Sequence, residues 1–105
     1  MNPNLPISEQ YRIIAKQWVD ADSAANILEE TKSAFLSQKM TALGDVPVSR
    51  AEMTVKASDE WTDFVTRMVK AREAANRFKV QLEYIRMKSM EWQSAEASKR
   101  VEARL

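Results

Sequence analysis

The chain has 105 residues, with 16 basic side chains against 15 acidic ones, and it is 45% hydrophobic and 30% charged, which bounds it to one domain with a thin core. Its lack of cysteine and histidine removes disulfides, thiolate nucleophiles, cysteine-based zinc or iron–sulfur centres, the usual imidazole base and the commonest transition-metal ligand. One glycine and three prolines leave few places to break a helix, so the composition points to an all-α fold.

Residues 1–7 hold two prolines and two asparagines and are expected to form an extended lead-in. They show neither the basic region nor the apolar stretch of a secretory leader, so the expected location is the cytoplasm, that of the host cell if the chain is phage-encoded. Ser8 reads as an N-cap, with Glu9 in the first turn where a carboxylate suits the helix dipole. The first helix is therefore predicted over 8–43. Its apolar stripe is Tyr11, Ile14, Trp18, Ala21, Ala25, Leu28 and Phe35, and it drifts late to Leu36, Met40 and Leu43. Gly44 is a natural left-handed terminator, followed by Asp45, Val46 and Pro47.

The connection over 44–57 carries two start signals. Ser49-Arg50-Ala51-Glu52 fits a capping box, and Ser58-Asp59-Glu60 offers a hydroxyl followed by two acids. A short capped segment at the tip and a long helix over 58–105 follow from taking both. From Trp61 a heptad register puts Trp61, Met68, Ala75, Leu82 and Ser89 at a and Phe64, Ala71, Phe78, Ile85 and Trp92 at d. Two such helices joined by a short connection make a long antiparallel, coiled-coil-like hairpin within a single domain, 1–105.

In an antiparallel pair the a residues of one helix sit level with the d residues of the other, and if paired positions sum to about 103, Tyr11 faces Trp92, Ile14 faces Ser89, Trp18 faces Ile85, Phe35 faces Met68 and Ala42 faces Trp61. The flanking e positions then place Asp22 near Lys79 and Glu29 near Arg72. The stripe fails after Trp92, where Glu96 and Lys99 take the core positions, so the last residues read as an overhanging helical tail.

Two surfaces of the second helix carry candidate function. Val80, Tyr84, Met87 and Met90 lie opposite the seam at helical spacing, a stripe that marks a subunit or partner contact and leads to the expectation of a homo-oligomer that also binds another protein. The second surface is basic: seven basic residues fall between Val65 and Met90 against Glu73 and Glu83 alone. Lys70, Arg77 and Lys88, with Lys99, Arg100 and Arg104 of the tail, are the candidate nucleic-acid contacts. Pairing across the seam accounts for part of that run, and a net charge of +1 lacks the excess that dominates phosphate binding, so nucleic acid takes second place.

Catalysis finds no support. Asp59, Glu60 and Asp63 could share a hard cation, but acids in a first turn serve the helix dipole. No nucleophile is singled out, and neither a cofactor nor a metal nor a membrane span is expected.

The strings Pro47-Val48-Ser49-Arg50-Ala51-Glu52, Lys56-Ala57-Ser58-Asp59-Glu60-Trp61, and Gln81-Leu82-Glu83-Tyr84 through Glu91-Trp92-Gln93 together resemble a group of small, mostly uncharacterised helical proteins encoded in phages and prophages. The resemblance spans most of the chain and implies an accessory carried near replication or recombination genes. It brings no catalytic motif and transfers no functional residue. The reading from sequence is a non-enzymatic helical interaction protein, with a nucleic-acid-binding accessory as the alternative.

Overall fold

The computed structural model describes residues 2–104. Among them are three α-helices and no strand: α1 (Ile7–Ala42), α2 (Val48–Lys56) and α3 (Asp59–Arg104). The all-α expectation holds, and the long helices fall within a residue of their predicted bounds.

The ends of these helices show which start signals operate. Two expected caps do not form. The Pro6 carbonyl accepts from the amides of Glu9 and Gln10, both at 3.0 Å, so α1 opens ahead of Ser8, which lies inside the first turn. Pro47 likewise occupies the N-cap of α2 and its carbonyl accepts from Ala51 N at 2.9 Å, while no side chain caps the helix. Ser49 is thus within α2 rather than before it, and Glu52 pairs with Lys56 one turn on, at 2.7 Å. A proline whose fixed φ suits a helix entry has displaced the serine in each case. At α3 the expected cap is real: Ser58 Oγ accepts from Trp61 N at 3.2 Å and donates to Val55 O at 2.5 Å, tying the start of α3 to the last turn of α2. Between α1 and α2, Gly44 has φ +84°, the left-handed conformation that its missing Cβ permits. A Cβ there would meet nothing within 4 Å, so the requirement is conformational and not spatial.

The chain divides into two compact units, a terminal one (Met1–Val19 with Asn76–Leu105) and a central one (Asp20–Ala75). Within each, α1 and α3 run antiparallel, as the hairpin reading expects.

In the central unit Phe35 stacks on Phe64 at 4.5 Å between ring centroids, and Trp61 lies 6.2 Å from Phe35. Lys39 pairs with Glu60. These partners sum to about 99 rather than about 103. The register is therefore one helical turn away from the predicted one, and neither Phe35 facing Met68 nor Ala42 facing Trp61 holds. The slip has a physical cause. A heptad seam displaced by one turn still faces its partner, and this displacement joins three aromatic rings, whose offset stacking is favourable beyond the area it buries. Ala25, Ala51, Val55, Phe64 and Ala75 are buried here, with Ala25 and Ala75 at 0% exposure.

Charge braces the same unit. Arg72 Nε and Nη2 donate to the two Glu29 carboxylate oxygens at 3.0 and 2.7 Å, a bidentate fork, and Nη1 donates to Asp22 at 2.6 Å. The Glu29–Arg72 pair is the one expected. Asp22, expected beside Lys79, is taken by Arg72. The Arg72 hydrogen bonds hold the Glu29 carboxyl below its ordinary pKa and raise the guanidinium's own.

In the terminal unit Ile14, Leu82 and Ile85 form the buried cluster, with Ile7, Ala15, Trp18 and Phe78 packed against it. Ile14 was expected opposite Ser89. Facing Leu82 and Ile85 instead removes more apolar surface from water than a serine could.

Candidate functional site

The a and d positions of α3 up to Ser89 are enclosed as the heptad predicts, and the flanking Val65, Arg72 and Ala74 are half-buried beside them. Trp61, Phe64, Met68, Ala71, Ala75, Phe78, Leu82, Ile85 and Ser89 are all buried or half-buried. Trp92 departs from the pattern at 60% exposure, and from there to Arg104 only Glu96 is half-buried. The tail is helical, and Lys99 lies 3.8 Å from Glu96.

The opposite face of α3 in the terminal unit is open. Val80, Tyr84, Met87 and Met90 are 57–63% exposed. They do not form one continuous lining, because two grooves flank Ile85, which borders both. Tyr84 lines the first and Met90 the second.

The first groove, of about 550 Å³, has an apolar floor of Leu5, Ile13, Ile14, Phe78 and Ile85. Four carboxamides line it, those of Asn2, Gln10, Gln17 and Gln81, with Lys88 at its edge. Gln10 Nε2 donates to Leu5 O at 2.7 Å, which holds the segment before α1 as one wall. Asn2 Oδ1 accepts from Asn4 N at 2.9 Å in a turn of the same segment. The Lys88 ammonium lies 5.7 Å over the Tyr84 ring, a cation–π placement.

The second groove, of about 630 Å³, is walled by Ile7, Tyr11, Met90 and Trp92, with Arg86 and Gln93 at its rim. Tyr11 and Trp92, expected to face one another across the seam, both line this groove and stay exposed at 43% and 60%.

The basic candidates are dispersed. Lys70 belongs to the central unit, while Arg77, Lys88, Lys99, Arg100 and Arg104 belong to the terminal one, and all six are exposed. Of these, Lys88 lines the first groove. Near the start of α1, Arg12 Nε donates to Glu9 at 3.0 Å, and this hydrogen bond holds the Glu9 carboxyl below its ordinary pKa.

Charge is unevenly shared between the units. The terminal unit carries nine basic and five acidic side chains, the central one seven and ten. The balanced total of the whole chain conceals this separation.

The sequence reading missed both grooves and their amides. A signal existed: Gln10 and Gln17 recur at seven residues on α1, as Gln81 and Lys88 do on α3, so each pair shares a helix face. Among the described residues no group of three side chains could hold a metal ion, and no helix is long and apolar enough to cross a membrane.

Comparison with protein families, with curated proteins and with solved structures finds no match for this chain.

Proposed function

We propose that this protein is a non-enzymatic interaction protein that associates with itself and docks another protein through the outer face of α3. The observation that carries this reading is the contrast along one stretch of helix. Phe78, Leu82, Ile85 and Ser89 are enclosed by α1, whereas Val80, Tyr84, Met87 and Met90, between and beyond them, stay more than half exposed. Four large apolar side chains left in water within three helical turns cost hydrophobic free energy that a partner surface would recover. The resemblance to phage-encoded helical proteins adds a setting, an accessory role in DNA replication or recombination in the cytoplasm of the host cell.

Sedimentation equilibrium at tens of micromolar tests the self-association. A mass above the monomer's is expected, falling to the monomer's in the Tyr84→Glu, Met87→Glu double variant. A wild-type protein that is strictly monomeric sinks the claim.

A second reading, binding of nucleic acid, is favoured by the charge separation: nine basic against five acidic side chains in the terminal unit supply the local excess that the whole-chain balance hides. Fluorescence anisotropy at low salt should then show binding with a steep salt slope, weakened by Arg77→Ala and Lys88→Ala.

A further inference from the structure

We infer that the groove between Tyr84 and the segment preceding α1 receives an unpaired nucleobase, as one contact of a single-stranded nucleic acid held by the terminal unit. This rests on the second reading above and names the form of nucleic acid and the place where a base is held.

The chemistry of the lining points to a base. An apolar floor containing Ile13 and Phe78 suits the face of a planar heterocycle, while the carboxamides of Gln17 and Gln81 each present a donor and an acceptor, the pairing that base edges offer in return. Gln10 directs its Nε2 donors to Leu5 O at 2.7 Å and Pro3 O at 3.5 Å and keeps its carbonyl oxygen as an acceptor. Tyr84, 62% exposed, is a stacking platform, since every base has a π-face. Lys88 sits one turn along α3 with its ammonium 5.7 Å from the centre of that ring, and a base that takes the ring face would bring a phosphate to the ammonium in exchange.

The lining and the charge of the unit together favour the strand over other occupants: the unit carries nine basic against five acidic side chains, and a second copy meeting the outer face of α3 would leave the carboxamides of Gln17 and Gln81 unmatched. An apolar peptide would bury Gln17 and Gln81 without partners, at a cost. Duplex DNA presents neither a free base face nor a free pairing edge to a groove of this size. A single strand satisfies floor, amides, ring and cation together.

Anisotropy with a labelled single strand of about 15 nucleotides, its duplex, and an abasic strand of equal length and charge, in about 50 mM salt, tests this directly. The single strand should bind roughly tenfold more tightly than the abasic strand, within the range that stacking of one base gives. Tyr84→Ala should abolish that difference, read as the ratio of the two affinities within one variant so that a change in overall affinity cancels, and Tyr84→Phe should retain it. Circular dichroism checks that each variant folds, which the exposure of Tyr84 favours. Equal affinity for all three probes overturns the base site but leaves general phosphate binding standing. Binding to none of them overturns both. If Tyr84→Ala leaves the preference for the single strand over the abasic strand unchanged, the ring holds no base and the inference fails, whatever the variant does to the sedimentation mass.

Discussion

The pairing of α1 with α3 can be tested without a structure, by a double-mutant cycle on the aromatic layer. Phe35 and Phe64 stack at 4.5 Å and 15° between ring planes, and Phe64 is 5% exposed. Replacing either ring by leucine keeps an apolar side chain of similar bulk, so the packing lost at each single change should cost about 1–1.5 kcal/mol, less at the half-buried Phe35, with the lost stacking in addition. Stacking lies outside that figure and disappears with the first substitution, so Phe35→Leu and Phe64→Leu together should cost less than their sum by about 0.5–1.5 kcal/mol. A chain of this length has a total stability of about 5–15 kcal/mol, and 1 kcal/mol moves Tm by about 4–8 °C, so the coupling is measurable. Urea titration followed by far-UV circular dichroism on the four proteins gives it. The same cycle with Met68→Leu in place of Phe64→Leu should be additive within about 0.5 kcal/mol. A larger coupling of Phe35 to Met68 than to Phe64 would refute the one-turn shift and restore the register expected from the heptads.

Three further outcomes follow from local geometry. Ser58→Ala should cost about 1 kcal/mol through loss of the Trp61 cap, whereas Ser49→Ala should stay within about 0.5 kcal/mol, both read as urea midpoints. Gly44→Ala places a Cβ at φ +84° and should destabilise by about 1–2 kcal/mol even though space is open around it, a loss visible in thermal melts. Glu29 has its pKa lowered by Arg72, so its contribution is present above the unfolded-state pKa and is lost as pH falls through the folded one. Acid titration of stability should accordingly show a shallower decline in Glu29→Gln than in the wild type.

What the sequence reveals and what it hides separate along physical lines. Burial follows the hydrophobic period closely from Trp61 to Ser89, because only one face of α3 can meet α1 and that face must be apolar. Register is hidden because a heptad seam is nearly unchanged by sliding one turn. The choice then falls to a few specific contacts, here three rings and the Lys39–Glu60 pair, which no count of apolar positions ranks. Helix starts mislead for a related reason. Ser8 and Ser49 have the composition of caps, but Pro6 and Pro47 precede them and open the helices first. Ser58 has no such competitor and caps as expected. The apolar stripe on α3 is legible as exposed, yet its division into two grooves depends on α1 and on Asn2 and Leu5, which lie more than 70 positions away in the chain.

Ala25 and Ala75 show no exposure at all. A larger side chain at either would have to push its surroundings apart, while glycine, the one smaller choice, would loosen a helix interior by about 0.5–1 kcal/mol. Both directions of change are closed, so over evolutionary time these two unremarkable residues should drift least. They should persist as alanine in divergent descendants whose charged surface and tail have been rewritten, and searches for distant kin could weight that pair, fifty positions apart, above the aromatic residues.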